Sequence, residues 1–198
     1  QNAGSWSQAS HGYIAGGNNS SGVSVNIIQK VLYGSSDVTV SDVADMSTNR
    51  ERADSCTQDT HGWSAGGQVT ARTDKIDKFS FATQANSTEV GQLTNVGSEG
   101  GGGINSTTHG YHTQGYNVSG TRVKTIQKWS FASGTDCSII GNMSGSSAGR
   151  VFAAGFSSTT NGYNAGGEQA SNSPENVIDK GSFAADGNAT DIANLSHN

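Results

Sequence analysis

The sequence predicts an all-β chain of four consecutive antiparallel sheets with four strands each, and three observations predict it. Hydrophobic residues are 32% and charged residues 14% of the 198, whereas 28 Gly, 47 Ser plus Thr and 17 Asn leave little from which to build long helices. These residue types favour turns, caps and strands over helix interiors. A motif of His or Asn, then Gly, an aromatic and a terminal glycine recurs four times, as "SHGYIAGG" from Ser10, "THGWSAGG" from Thr60, "THGYHTQG" from Thr108 and "TNGYNAGG" from Thr160. Its interval is that of four short strands with their turns.

The marker glycines Gly12, Gly62, Gly110 and Gly162 stand 50, 48 and 52 residues apart. Two further markers keep step. The triplets Ile28-Gln29-Lys30, Ile76-Asp77-Lys78, Ile126-Gln127-Lys128 and Ile178-Asp179-Lys180 each precede an aromatic, and "DVADM", "EVGQL", "IIGNM" and "DIANL" close the units. The units run approximately 1–48, 49–96, 97–146 and 147–198 in a single domain. From Gly162 to Asn198 and round to Gly12 is another 48 residues, so the chain holds four whole periods. Four-stranded units of this period are propeller blades, and the count predicts a four-bladed β-propeller closed on itself. A stretch of a longer propeller has the same whole-number length.

Each strand has its reason. Strand A is a short small-residue segment such as "ADSC" at 53–56, and "QDT" turns the chain. Strand B, "HGWSAGG", ends in a glycine pair because the reversal there needs positive φ and close backbone approach. Gln114 stands where the other units have Gly16, Gly66 and Gly166, so a locally different turn is expected in the third unit. Strand C, "KIDKFSFAT", alternates faces: Asp77, Phe79 and Phe81 share one, and Ile76, Lys78 and Ser80 share the other. The aromatics wedge between neighbouring sheets, and Gly181 leaves that wedge partly empty in the fourth unit. Strand D, "STEVGQL", carries the closing hydrophobic anchor.

This order resembles the kelch family of β-propellers, in which a strand ending in a double glycine is followed by an aromatic-bearing strand and an anchored outer strand. The resemblance covers all four units. The third unit departs from it at Gln114, and Met46, Leu93, Met143 and Leu195 replace the tryptophan usual in the outer strand. The "HGY..GG", "IDKFSFA" and "ATDVG.L" variants look most like kelch-like repeats in tail and other structural proteins of aquatic bacteriophages. That resemblance implies a virion or extracellular surface protein.

Charge excludes some functions. With a pI near 5.4 and 11 Lys plus Arg in no run, the chain lacks the electrostatic footprint of a nucleic-acid or anionic-membrane binder. No stretch approaches the ~20 apolar residues of a membrane span. A chain opening on Gln1 reads as processed or trimmed. Cys56 and Cys137 occupy different positions in different units, which reads as two free small hydrophobes, with one long-range bridge left open.

No catalytic or cofactor motif is present, and the chain reads as a non-enzyme without cofactor. Lys30, Lys78, Lys128 and Lys180 are equivalent; the expected arrangement is a packed stem with its head on a strand D acid such as Asp42, Glu89 or Asp191, or on backbone carbonyls. His11, His61 and His109 are equivalent too, and they are the residues a metal would use. Asn161 breaks the set, and His or Asn before Gly is ordinary turn chemistry, so no metal is indicated. His112 and His197 have no equivalents and receive no role. Eight N-x-S/T sequons, at Asn18, Asn19, Asn86, Asn105, Asn117, Asn142, Asn188 and Asn194, make glycosylation one reading and a Ser/Thr/Asn-rich surface the other.

The B–C loops differ most between units, and variation on a constant frame is how scaffolds carry binding. They nominate Asn18, Arg72, Arg122 and Asn172 as binding residues. The functional expectation is a recognition module of an extracellular or virion surface, attaching to host or carbohydrate, with a glycan or cell-surface receptor as partner. The alternative is a passive building block that self-assembles through its faces into a fibre or appendage.

Overall fold

The computed structural model describes residues 2–34, 39–95, 97, 100, 102–145 and 148–196. Four antiparallel four-stranded sheets follow one another along the chain, each in the order A-B-C-D. The first is β1 (Gly4–Ser7), β2 (His11–Ala15), β3 (Ile27–Leu32) and β4 (Val40–Asp45); the second is β5 (Asp54–Thr57), β6 (His61–Ala65), β7 (Lys75–Ser80) and β8 (Thr88–Gln92). The third is β9 (Ile104–Asn105), β10 (His109–Tyr116), β11 (Arg122–Ser130) and β12 (Ser138–Asn142). The fourth is β13 (Ala154–Ser157), β14 (Asn161–Ala165), β17 (Val177–Ser182) and β18 (Thr190–Asn194). Its B–C loop folds into a small ribbon, β15 (Glu168–Gln169) and β16 (Ser173–Pro174), around a 3-10 turn at Ala170–Asn172.

The register repeats with the sequence. Tyr13 faces Lys30, Trp63 faces Lys78, Tyr111 faces Lys128 and Tyr163 faces Lys180. Every C–D pair carries a register shift at the same step, between the Ile and the middle residue of the triplet, as at Ile76/Asp77. Such a bulge bends the strand and increases its local twist. The glycine pairs take positive φ, 68° at Gly66 and 102° at Gly67, and a Cβ on Gly66 would lie 2.0 Å from the Gly97 carbonyl oxygen. Gln114 adopts φ 49° in their place. Around it the ladder slips between Thr113 and Gly115 and then resumes, so that Tyr116 pairs with Arg122. The expected different turn is not found: Gln114 takes the left-handed conformation of the glycine it replaces, and the Tyr116–Arg122 pair matches Asn18–Ser24, Gln68–Arg72 and Glu168–Pro174 in the other units.

Three joints hold the sheets together, and aromatic ribs fill them. In the first joint Trp6 stacks on Phe79 with centroids 5.5 Å apart and Tyr13 on Phe81 at 4.8 Å. In the second Trp63 stacks on Phe131 at 4.8 Å among Cys56, Leu93, Trp129 and Cys137. Both cysteines are free and buried; burial pushes the Cys56 thiol well up, and raises that of Cys137 against its bonds with Thr94. In the third Tyr111 stacks on Phe183 at 5.1 Å. No atom lies within 4 Å of where a Cβ would stand on Gly181, and a cavity of about 30 Å³ lies beside it, lined by Ile104, Tyr111, Ile140 and Phe183. The missing aromatic of the fourth unit leaves the void that its glycine predicts.

Backbone bonds repeat across all three joints. The second glycine of each pair donates its N–H to the connector of the next sheet: Gly17 to Arg50 O (2.8 Å), Gly67 to Gly97 O (3.0 Å) and Gly115 to Arg150 O (3.0 Å). One strand D residue is clasped from both sides. Asp45, Gln92 and Asn142 donate N–H to the side chains of Asn86, Asp136 and Asn188 at 3.1, 3.0 and 2.9 Å. Their carbonyls accept from the amides of Ser87, Cys137 and Ala189 at 2.8, 2.9 and 2.9 Å.

Among the described residues the four sheets do not close on one another, so the closed four-bladed propeller expected from the count is not found. Sheet-to-sheet packing runs first to second, second to third and third to fourth, and the principal strand contacts include none between the first sheet and the fourth. Both end faces are open: Tyr33 and Val40 are exposed on the first sheet, and Phe156, Ile192 and Leu195 on the fourth.

Candidate functional site

The B–C loops emerge at one end of the sheets, just beyond the glycine pairs, and two of the nominated residues meet there. The Arg72 guanidinium lies 4.7 Å from the ring centroid of Tyr116, and that of Arg122 lies 5.3 Å from it. Arg122 Nη2 also pairs with Glu168 Oε1 of the fourth sheet's loop at 2.9 Å. Three loops thus converge: Arg72 comes from the second sheet, Tyr116 and Arg122 from the third, and Glu168 from the fourth. Burial alone would lower the Arg122 pKa, but its bonds to Glu168 and Tyr116 outweigh burial and raise it.

Asn18 and Asn172 lie outside this cluster. The Oδ1 of Asn18 accepts from Ser24 within its own loop at 3.3 Å. Asn172 is exposed, with φ 57°, at the end of the 3-10 turn. Sequence reasoning missed Tyr116 and Glu168. A signal existed: both occupy the position directly after the glycine pair, with Asn18 and Gln68 as their equivalents.

The opposite end of the sheets carries the A–B turns. Thr57–Thr60, 105–107 and 157–159 line a depression of about 610 Å³ in which Asp59 is the one charged residue. The equivalent histidines begin strand B beside it. Their Nδ1 atoms lie 2.7 Å from Ser10 Oγ, 2.7 Å from Thr60 Oγ1 and 2.8 Å from Thr108 Oγ1, and Asn161 repeats the contact by donating to Thr160 Oγ1 at 2.8 Å. Burial and the nearby Lys78 lower the His61 pKa; burial and Lys128 lower that of His109, against Asp186. Among the described residues no three His, Cys, Asp or Glu side chains come close enough to hold a metal.

The lysines depart from expectation. Lys78 sets its ammonium 5.1 Å from the centroid of the Trp63 ring, and Lys75 rather than Lys78 pairs with Glu89. Lys128 reaches across the third joint to Asp186 at 2.6 Å. His112, without a role in the sequence, is buried in the second joint with Nδ1 2.7 Å from Asp54 Oδ2.

The sequons divide by employment. Asn86 and Asn188 clasp joints, and Ser87, the middle residue of the Asn86 sequon, is buried with its hydroxyl on Asp77 at 2.9 Å. Asn19 and Asn117 cap their own loops, each accepting two backbone N–H bonds. The Asn105 amide donates to Ser106 O at 3.3 Å, Asn142 is half-buried, and Asn194 is exposed.

No family model and no curated protein sequence matches this chain. Solved structures do. That of YjhT is similar over 100% of this chain, with a TM-score of 0.80 and 12% sequence identity. This chain spans 66% of the YjhT chain. At that identity the likeness speaks to the fold alone. Among the described residues no helix is long and apolar enough to cross a membrane.

Proposed function

We propose that the four sheets are blades of a kelch-like β-propeller, and that the protein is a non-enzymatic recognition module of an extracellular or virion surface that binds carbohydrate through its B–C loops. The observation that carries this reading is the convergence of Arg72, Tyr116, Arg122 and Glu168 from three loops. An aromatic ring offers a stacking face for the C–H side of a sugar, while fixed guanidinium donors and a carboxylate acceptor match vicinal hydroxyls. Nothing in the cluster supplies a nucleophile with an adjacent base, so it suits binding rather than bond cleavage. A glycan array probed with the 198-residue chain tests this. Retained glycans that lose about tenfold in affinity on Tyr116→Ala, a typical hot-spot loss, support it; an array with nothing above background overturns it.

The exposed apolar end faces favour a second reading, a building block of a fibre or appendage that polymerises through them. Filaments that lengthen with concentration in negative-stain images, with no glycan bound, would select it.

A further inference from the structure

The two end faces are halves of the joint that the chain builds three times inside. On the fourth sheet, Phe156, Tyr163 and Leu195 occupy the positions that Trp6, Tyr13 and Met46 fill in the first joint, and Phe156 is 49% exposed and Ile192 50%. On the first sheet, Val31, Tyr33 and Val40 occupy the positions of Phe79, Phe81 and Ser87, with Tyr33 49% and Val40 46% exposed. The backbone is left incomplete in step with the side chains. Gly167 is equivalent to Gly17, Gly67 and Gly115, and Asn194 to Asp45, Gln92 and Asn142. Among the described residues the Gly167 N–H has no connector carbonyl and Asn194 has no clasp, although both devices recur at every internal joint. Contiguous apolar surface together with unpaired backbone groups marks a surface built to be covered.

We infer that these faces are covered by two further units of the same repeat, continuing this polypeptide and joining its fourth sheet to its first. Continuity with the internal joints sets the chemistry of the cover. One unit brings a strand C aromatic pair and an Asn or Asp clasp to Phe156 and Asn194; the other brings a strand A–B aromatic pair to Tyr33. The number follows from the YjhT chain, of which these four units occupy 66%, since two units of this length fill the remaining third. Two is also an even number, so the alternation of the strand C triplet, Gln29, Asp77, Gln127, Asp179, stays intact round the ring.

The test is a fusion of the 198-residue chain followed by a second copy of residues 97–198, which supplies units in the correct phase, with Trp129, Phe131 and Asp136 for the fourth sheet and Phe156 and Tyr163 for the first. Hydroxyl-radical labelling of the first-copy Phe156 and of Tyr33 is compared between the fusion and the 198-residue chain. A monomeric fusion with a higher Tm, labelling at both rings cut about tenfold as for burial in a core, and slowed exchange of the Asn194 amide supports the inference. A folded fusion in which both rings label as fast as before overturns it. The 198-residue chain decides independently of whether the fusion folds. A 20.3 kDa species with both rings fully labelled agrees with open joints. A discrete oligomer with both rings protected makes a second copy the occupant and overturns the inference.

Discussion

The middle joint and the two flanking joints perform one task with different chemistry. In the first joint Arg50 and Asp77 are both fully buried with Nη2 and Oδ2 2.5 Å apart, and Asp77 also accepts from the Ser47 amide (2.8 Å) and hydroxyl (2.7 Å). The Nη1 of Arg50 donates to the carbonyls of Gly66 and Lys75. In the third joint Arg150 and Asp179 repeat the pair, with Gln114 added to the network. The middle joint has Gln127, whose amide closes a two-bond ring with the backbone of Asn95, 2.9 Å each way, and takes the Cys137 thiol at 3.2 Å. Both arrangements pin the segment after strand D to strand C of the next sheet. An amide carries its own donor and acceptor and needs no buried counter-charge; a carboxylate needs the arginine.

The sharpest way to break this comparison is to remove one charge. Asp77→Ala leaves Arg50 buried and unpaired, and is expected to cost about 3–5 kcal/mol in urea unfolding. Gln127→Ala removes neutral bonds and is expected to cost about 1–3 kcal/mol. Equal losses would dissolve the distinction between the joints.

Acid separates them further. Burial alone would raise the Asp77 carboxyl, but Arg50 and the Ser47 bonds outweigh it and hold it below the usual carboxylate range. A folded pKa depressed below the unfolded value, about 3.9, contributes stability that is present above that value and is lost as pH falls through the folded one. Asp77→Asn is therefore expected to flatten the acid limb of the stability curve, whereas Gln127→Ala leaves its shape unchanged. Thermal unfolding between pH 2 and 6 reads both.

Much of this was legible in the sequence. The period, the strand order, the glycine turns, the aromatic ribs and the void at Gly181 all follow from residues aligned at one spacing, because each unit makes the same local decisions. Gln114 misled: it keeps the left-handed turn of the glycines it replaces. What stayed hidden depends on pairs between units. The triplet displayed Gln29, Asp77, Gln127 and Asp179 openly, yet the partner of Asp77 lies 27 residues upstream in a connector that no strand pattern marks. The Tyr116 cluster draws on three loops whose relative placement only the assembled sheets fix. The part that Asn86 and Asn188 play in the joints was hidden too, because the backbone N–H groups their side-chain oxygens accept from lie in the preceding sheet. Closure was misjudged for a related reason: period counting measures phase along the chain, not the angle between neighbouring sheets.

A smaller effect tests whether the clasp matters apart from the filling. Asn188→Ala removes the side-chain acceptor of the Asn142 amide at the solvent edge of the third joint. The expected loss is about 1 kcal/mol, the net worth of one partly exposed hydrogen bond. Asn188→Asp keeps the acceptor, and is expected to keep most of the stability while abolishing the sequon. A loss shared by both variants would assign the effect to something other than this bond.

The smallest expected change is a gain, and it brings the third joint toward the first. Val31, Phe79 and Trp129 stand where the fourth unit has Gly181, which lies mid-strand without positive φ and with open space where its Cβ would project. Gly181→Val adds strand propensity, removes backbone freedom from the unfolded chain and covers part of the void beside Tyr111 and Phe183. These terms act in the same direction and sum to about 0.5–1 kcal/mol. Valine is preferred to phenylalanine because the cavity of about 30 Å³ is too small for a ring without displacing Phe183. A raised urea midpoint with an unchanged m-value reports the gain as stability rather than altered compactness. A lowered midpoint would mean that the third joint relies on its gap, and that the aromatic rib of the first joint is not the standard to which all joints are built.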